Sequence, residues 1–480
     1  MRKLSCLIIV FLSFSTFAKN DLLIENVTII SPNLTSPLQH MNVLIADGRI
    51  TQVTANKITT KARKIEGKGK YLTPGIMDSH AHVSSIPGMG FGVESVSMKH
   101  PILTKQYYEQ QPRSFLYYGV TQILDPNPGL NSHQFTASNL HPEYFHCEVI
   151  TSKNTFPYVE KKDDKSRSMF TYLVNEKAEI NEVNSPEEIV SRIAKSEASC
   201  IKLYFEDGYG NASQWQLLSN ETLHRIKASA DKSGLTILAH ANALDMQQLA
   251  LKAEVDIIAH GLWNWGEYNR SADIPKAIAS VLDIIIDKKV GYMPTQRVIT
   301  GLGEVMIPNI ENSPMFSKVT PKALLDWYKT SEAQWFKEEL RLGFDGLPDE
   351  TIAEIFIYNR VGKGNKVVHY LNKAKLPILL ASDFPGSPSY ANQPGLSTFQ
   401  EMKALVLAGL TLEEVLAAST INNARQFNIQ KDYGTVEVGK MANLLLLDSN
   451  PLVSIEAWDT IQFVILNGEP INRDVLAVHQ

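Results

Sequence analysis

The central part of the chain alternates short apolar runs with stretches whose apolar residues have helical spacing. The predicted strands cover residues 75–82, 120–125, 145–150, 200–205, 235–240, 255–260, 290–295 and 376–383, and the predicted helices cover residues 220–233, 244–252 and 274–288. Strands that alternate with helices predict an α/β fold in which parallel strands close into a (β/α)8 TIM barrel. An open doubly wound sheet is the alternative, but no glycine-rich phosphate loop follows the first strand.

Both ends of the chain have β-type sequence instead. Alternating runs cover residues 22–30, 41–45 and 47–53, and the Asp47-Gly48 step is typical of a tight hairpin turn. Near the other end, apolar runs cover residues 443–448 and 461–466. These patterns predict β structure at both ends, outside the barrel.

Two connections between the predicted barrel strands are unusually long. They cover residues 151–199 and 296–375, and the second contains an aromatic-rich helical stretch around Trp327 and Trp335. Long loops at the carboxyl ends of barrel strands often cover the site, so residues 296–375 are a candidate lid insertion. A packing or dimer element is an equal alternative, which leaves a homo-oligomer open.

Residues 1–18 have the parts of a secretory signal peptide. Arg2 and Lys3 supply a charged start, residues 4–14 are almost entirely apolar, and residues 16–18 form a small-residue cleavage site. The apolar part is too short to span a bilayer, and no other segment is long and apolar enough. We therefore expect an exported protein, periplasmic or secreted, with no membrane span after cleavage.

Composition and charge narrow the class of protein. The hydrophobic content of 44% and the charged content of 20% are ordinary for a soluble globular protein. The formal net charge is −5 and no cluster of lysine and arginine is present, which argues against a nucleic-acid partner. Cys6 lies in the signal segment, and Cys147 and Cys200 are predicted to be buried thiols rather than a disulfide.

Residues with ligand chemistry recur at the ends of the predicted strands. His80 and His82 are two residues apart, so on a strand they point to the same face and can share one cation. Three further apolar runs end at His240, His260 and Asp383, and Lys202 lies between Ile201 and Leu203 on a fourth run. Packing alone would be satisfied by apolar residues at these positions.

These motifs resemble the amidohydrolase superfamily, and most closely its imidazolonepropionase- and prolidase-related branch with a carboxylated lysine. The resemblance rests on the segment YLTPGIMDSHAH that ends at His82 and on GTVEVGKMAN, which starts at Gly434. It implies a metal-dependent hydrolase barrel over residues 75–429. It also implies a small β-sandwich subdomain built from both chain ends, residues 19–74 and 430–480.

The resemblance also implies roles for the six residues. His80 and His82 would bind one divalent metal ion, His240 and His260 a second, and both ions are expected to be zinc. Lys202 would bridge the ions as a carbamate, which removes the large desolvation cost of a buried ammonium group. Asp383 would bind the first ion and act as general base and acid for a metal-bridging hydroxide.

Four further residues are candidates for substrate binding. Tyr204 lies on the same strand face as Lys202, and Arg297 follows the seventh strand, where a guanidinium would suit a substrate carboxylate. His133 and His141 follow the second strand, near the expected mouth of the barrel.

The expected activity is hydrolysis of an amide-type carbon–nitrogen bond in a small molecule, with a dipeptide as the leading substrate. Related dipeptidases often carry a tyrosine where this chain has Ala241, so a cyclic amide or a lactone stays open. A mononuclear deaminase is disfavoured because Ala243 occupies the position of its usual catalytic glutamate. A non-catalytic relative is disfavoured because the full ligand set is present.

Overall fold

The structure is a computed structural model that describes residues 21–90, 99–161, 163–209 and 212–478. The predicted signal peptide, residues 1–18, lies outside the described residues. The strands are β1 (Leu22–Ile29), β2 (Leu38–Ala46), β3 (Arg49–Thr54), β4 (Arg63–Glu66), β5 (Tyr71–Pro74), β6 (Ile76–Asp78), β7 (Val120–Asp125), β8 (Glu143–Thr151), β9 (Tyr172–Leu173), β10 (Cys200–Tyr204), β11 (Gly208–Tyr209), β12 (Ala212–Ser213), β13 (Thr236–His240), β14 (Ile257–Ala259), β15 (Gly291–Met293), β16 (Leu444–Leu447), β17 (Ile461–Leu466) and β18 (Glu469–Asn472).

Helices connect the barrel strands and fill the long connections. They are α1 (Pro101–Tyr117), α2 (Asp164–Arg167), α3 (Pro186–Ala194), α4 (Asn220–Ser233), α5 (Leu244–Lys252), α6 (Lys276–Lys288), α7 (Gln296–Glu304), α8 (Lys322–Tyr328), α9 (Trp335–Gly343), α10 (Asp349–Glu354), α11 (Val361–Lys373), α12 (Leu396–Leu407), α13 (Leu412–Ala417) and α14 (Asn423–Gln426). Two π-helical segments, Ile355–Arg360 and Ala418–Asn422, lie among them.

The central sheet is parallel, as the alternation of strands and helices predicts. Its strand order is β15-β14-β13-β10-β8-β7-β6, with β9 added beside β8. The segment after α11 closes the barrel, because Ile378 bridges to Tyr292 and Phe384 bridges to Ala81. The (β/α)8 barrel is therefore confirmed.

The eighth barrel segment is not a regular strand, although residues 376–383 were predicted to form one. Only isolated bridges and single hydrogen bonds hold it, such as Leu379 N to Tyr292 O at 3.0 Å and Asp383 N to His80 O at 2.8 Å. Pro377 has no backbone N–H and cannot donate to a ladder. Asp383 has φ +53°, which turns the chain out of the extended conformation.

A small apolar cluster fills the barrel. All seven sheet strands from β6 to β15 contribute buried residues to it, together with the eighth segment, and its members are Met77, Leu124, Cys147, Cys200, Leu238, Ile257, Ala259, Met293, Leu379, Ala381 and Phe427. Side chains alternate along a strand, so Lys202 and Tyr204 point inward with Cys200, and His240 points inward with Leu238. The candidate ligands therefore continue this inner face toward the carboxyl ends of the strands.

The prediction of two free thiols was wrong. Cys147 and Cys200 form a disulfide inside the barrel, between residues that lie directly opposite each other on β8 and β10. The bond links two neighbouring strands that are 53 residues apart in the chain. The parallel register, which is not visible in the sequence, brings the two sulfur atoms together.

The two chain ends share a second sheet with the strand order β18-β17-β16-β5-β1-β2-β3, and β4 pairs with β1. Strands β16 and β5 are antiparallel, with Leu447 opposite Tyr71 and Leu444 opposite Pro74. The sheet encloses its own apolar cluster, which includes Ile24, Ile45 and Leu446. This is the small β subdomain expected from both chain ends.

The segment 296–375 packs on the loop that follows β6. The Tyr328 hydroxyl donates to Pro87 O at 3.1 Å, and the Trp335 indole donates to Gly88 O at 2.9 Å. Its role as a lid stays a prediction. Among the described residues, every helix is too short or too polar to cross a membrane.

We predict that Leu238→Ala destabilises the barrel. Leu238 is fully buried in the inner cluster, and truncating such a side chain removes apolar contacts and leaves a cavity, at a cost of about 2–5 kcal/mol. Denaturant unfolding followed by circular dichroism measures the change. The matched control is Leu342→Ala, because Leu342 is 79% exposed on α9 and its truncation should change the free energy of unfolding by less than about 0.5 kcal/mol. Equal effects of the two substitutions would contradict the assignment of Leu238 to the core.

Candidate active site

Three histidine side chains surround the Asp383 carboxylate. Its Oδ1 lies 3.4 Å from His80 Nε2 and 3.2 Å from His82 Nε2. Its Oδ2 lies 3.3 Å from His260 Nδ1. The residues just after β6 and the eighth segment lie about 300 residues apart in the chain. Their side chains therefore come together around the Asp383 carboxylate.

His240 lies beside His260 on the same side of the cluster. Nδ1 of His240 is 3.0 Å from Nε2 of His260, and the two rings are 4.7 Å apart at their centroids. The His260 ring is also 4.9 Å from the ring of His80. The structure therefore brings all four predicted histidines and Asp383 into one continuous group.

Lys202 is buried beneath this group. It is 1% exposed, and within the described part of the chain its Nζ makes no hydrogen bond. Burial lowers the pKa of Lys202 to about 7, and the negative charge of Asp383 opposes only part of that shift. The amine is therefore partly neutral near pH 7, which an ordinary lysine is not.

The two most buried histidines are also held in the neutral form. Burial lowers the pKa of His80 and of His260 well below the usual value, and the charges of Lys202 and the neighbouring imidazoles lower it further. A neutral imidazole keeps a lone pair on one ring nitrogen and can act as a metal ligand.

The donor atoms fit divalent metal ions such as zinc. Buried atoms without a hydrogen bond in the described chain include both ring nitrogens of His80, Nζ of Lys202 and Oδ1 of Asp383. The ligand atoms of His80, His260 and Asp383 lie within 4.8 Å of one another. Unpaired buried polar atoms are costly, and nitrogen and oxygen donors that converge in this way are the usual ligands of zinc.

Two residues outside the predicted set contact the ring nitrogens of His240 and His260 that do not face each other. Glu206 Oε2 lies 3.3 Å from His240 Nε2, and Thr295 Oγ1 lies 3.0 Å from His260 Nδ1. When His240 donates its Nε2–H to Glu206, the lone pair is left on Nδ1, the atom that faces His260. Such carboxylate and hydroxyl partners fix the tautomer and orientation of metal-binding histidines.

Two non-glycine residues at the site have left-handed backbone conformations. Thr295 has φ +44° and Asp383 has φ +53°, and neither residue is glycine. Left-handed conformations of this kind cost about 1–3 kcal/mol each and persist only where the surrounding structure imposes them. Asp78 helps to impose the second, because its carboxylate accepts hydrogen bonds from Ser382 N at 3.0 Å and Thr398 Oγ1 at 2.6 Å.

Of the four residues predicted to bind substrate, Tyr204 lies at the site. Its ring is 5.3 Å from that of His240, and its hydroxyl accepts a hydrogen bond from Asn127 Nδ2 at 3.0 Å. Two tryptophans follow His260. The Trp263 ring is 5.8 Å from the His260 ring, whereas Trp265 is buried and its indole donates to Leu262 O.

The structure does not favour the substrate role predicted for Arg297. Its guanidinium is 2% exposed, pairs with Glu304 at 2.6 Å and donates to Ala391 O at 2.7 Å. It therefore anchors α7 and is not available to a substrate carboxylate. His133 and His141 belong to the loop after β7, where their Nδ1 atoms contact Leu130 O and Pro142 O.

Several polar residues that surround the ligands lie outside the set predicted from the sequence. Asp78, Asp125 and Glu206 are buried, and each lies at or just beyond the end of a barrel strand, as Thr295 does. Asp125 accepts a hydrogen bond from Ser132 Oγ at 3.1 Å. Burial raises the pKa of its carboxyl group, and the charge of His82 opposes part of that rise. The strand-end rule that identified the ligands could have found all four.

Comparison with known proteins gives the family. The model of the amidohydrolase family matches residues 71–471. The chain therefore belongs to the amidohydrolase family.

Curated relatives match only in part. The N-acetylglucosamine-6-phosphate deacetylase of Lysinibacillus sphaericus is 28% identical over 143 residues, which are 30% of this chain and 35% of that protein. The imidazolonepropionase of Shouchella clausii is 40% identical over 78 residues, 16% of this chain and 17% of that protein. The chain thus spans about a third or less of these relatives.

Solved structures match over almost the whole length. A Xaa-Pro dipeptidase with bound methionine has a TM-score of 0.63 at 17% identity, covering 94% of this chain and 100% of its own. A prolidase complexed with N-methylphosphonate-L-proline has a TM-score of 0.66 at 18% identity. The match covers 94% of this chain and 99% of the prolidase chain. At this identity the likeness shows the fold.

We predict that Glu206→Ala weakens zinc binding by about 10–100-fold, because His240 then loses the partner that orients it. Competition with a chromophoric chelator measures the affinity without any need for a substrate. The zinc affinity of Glu206→Gln should lie between that of wild type and that of Glu206→Ala. The control is Asp207→Asn, which removes a neighbouring exposed carboxylate; an equal loss there would show a general effect of charge instead of the contact with His240.

Proposed function

We propose that this protein is an exported, metal-dependent hydrolase that cleaves a carbon–nitrogen bond of the amide class in a small molecule with two divalent ions. The observation that carries the proposal is the buried Lys202 amine, which has no hydrogen-bond partner among the described residues, beside four converging histidines and Asp383. The names of the deacetylase and the dipeptidase among its relatives support an amide as the substrate.

In this proposal His80, His82 and Asp383 hold one ion and His240 and His260 hold the other. Two divalent ions bound here would activate a water molecule and polarise the substrate carbonyl. Lys202 contributes as a carbamate: its neutral amine attacks carbon dioxide, an N–C bond forms and one proton leaves. Its lowered pKa supports this step, because a neutral amine is the reactive form.

Asp383 is the proposed proton carrier. Its carboxylate takes a proton from the attacking water and delivers it to the leaving nitrogen, which departs as a neutral amine. The backbone bond from Asp383 N to His80 O and the strained φ of Asp383 hold the carboxylate at one position between the histidines. A fixed carrier avoids the cost of reorienting water during the reaction.

The hydrolysis test compares metal-free and zinc-loaded protein lacking residues 1–18. The substrates are dipeptides, N-acyl amino acids and lactones, each followed by mass spectrometry. Zinc-dependent release of amines supports the proposal. Cleavage of lactones alone would replace it by the ester-hydrolase alternative, and zinc-loaded protein inactive on every class would reject it.

We predict that Lys202→Ala loses bound metal and lowers kcat by roughly 1000-fold or more, since several kcal/mol of transition-state stabilisation depend on the ions. Elemental analysis gives the metal content per chain. Lys105→Ala is the control, because the Lys105 side chain is 78% exposed. Retention of two ions in the Lys202 variant would remove the bridging role.

A second substitution separates proton transfer from folding. Asp383→Asn should keep the circular dichroism spectrum and lower kcat by about 100–10,000-fold, the usual contribution of general acid–base catalysis. Wild-type turnover in this variant would exclude Asp383 as the proton carrier.

The proposed export can be tested by counting the free thiols of the protein. The disulfide between Cys147 and Cys200 supports an oxidising compartment, and Cys6 leaves with the signal segment. We predict that unfolded protein from the periplasm or medium, titrated without reductant, has no free thiol, and that it has two after reduction. Three free thiols before reduction, from Cys147, Cys200 and a Cys6 that stays attached with residues 1–18, would contradict both export and the bond.

A further inference from the structure

Three aromatic side chains form a layer beside His240, which we name the aromatic wall: Phe156, Tyr204 and Trp215. The Phe156 ring stacks on Trp215 at 5.1 Å with an interplanar angle of 16° and meets Tyr204 edge-on at 5.2 Å. The wall reaches the ligands directly, because the centroid of His240 is 5.3 Å from Tyr204 and 6.2 Å from Phe156.

The wall is fixed by bonds from three parts of the chain. Thr155 bridges to Gln216, which draws the loop after β8 against the segment that carries Trp215. The Trp215 backbone N–H donates to Asp207 O at 2.9 Å, and Asn127 Nδ2 donates to the Tyr204 hydroxyl at 3.0 Å. The rings are therefore held in place before any ligand arrives.

Two side chains of the cluster are partly open to solvent, and one of them, His240, contacts the wall. The side chains of His82 and His240 are 19% and 17% exposed, whereas that of His80 is inaccessible. The three residues of the wall are each half-buried. The wall therefore lies beside a ligand that solvent can reach.

We propose that the aromatic wall is a subsite for a planar aromatic group next to the scissile amide. This inference rests on the proposed amide hydrolysis and names its substrate class. Aromatic rings gain by offset or edge-on stacking in addition to the area they bury. Rigid, preorganised rings also lose little conformational entropy when a ligand binds. Aromatic N-acyl amino acids and dipeptides with an aromatic residue should therefore be preferred over their small aliphatic counterparts.

The test uses substrate pairs that differ only in the ring. N-benzoylglycine with N-acetylglycine examines the acyl side, and N-acetylphenylalanine with N-acetylalanine examines the amine side. Zinc-loaded wild type should show kcat/KM at least roughly tenfold higher for the aromatic member of one pair. Trp215→Ala and Phe156→Ala should abolish most of this preference through KM, with kcat and metal content unchanged.

Two control variants separate the wall from general packing. Trp215→Phe keeps a flat ring and should keep the preference. Tyr358→Ala removes a ring of the segment 296–375. Tyr358 is 71% exposed, so kcat and KM for all four compounds should stay unchanged. Equal kcat/KM for both members of both pairs, or an unchanged preference in Trp215→Ala and Phe156→Ala, would overturn the subsite.

A binding measurement keeps the subsite and the proposed function distinguishable. Calorimetric titration of zinc-loaded Asp383→Asn with the same four compounds measures affinity without turnover. Tighter binding of an aromatic member to Asp383→Asn, lost when Trp215→Ala is added, supports the subsite. This holds even if wild type hydrolyses none of the compounds. That second result would reject the proposed amide hydrolysis and leave the subsite standing. Equal affinities within both pairs reject the subsite, whatever the turnover.

Discussion

Burial of ionisable groups at one end of the barrel is the constraint on which the site depends. Lys202, His80, His260 and Asp383 are all removed from water, although each would be better solvated outside. Burial favours the neutral forms of the lysine and the histidines, which are the forms able to bind metal or react with carbon dioxide. The free energy for this arrangement comes from the closed, well-packed barrel below it.

Closure of the barrel and assembly of the site are the same event. The eighth segment contributes Asp383. Backbone bonds that end at His80 O, just after β6, and at Leu380 O, in the eighth segment, join the first and last barrel segments. Asp78 reinforces the seam from the other side by accepting from Ser382 N. Because these contacts are non-local, the ligand geometry exists only once the whole barrel has closed.

The sequence predicted the elements with clear local signals. Helix α4 has the predicted bounds because Ser219 caps its start and Gly234, with φ +67°, ends it. Non-local features were missed: the disulfide depends on the register of β8 and β10, and the burial of Arg297 against Ala391 depends on how α7 packs. Glu206 was missed for a different reason, because a carboxylate just after a strand has several common structural roles.

The site divides into a part set by the strands and a part set by the connections. The strand ends fix the ligands and so the type of chemistry, whereas Phe156 and Trp215 come from segments that follow β8 and β10. Loops tolerate change that the strands of a closed barrel do not. Ala241 and Ala243, which flank Asn242 after β13, offer no polar side chain for a substrate, and Arg297 is engaged elsewhere. Recognition of the substrate is therefore expected from the connections, where the aromatic wall adjoins His240.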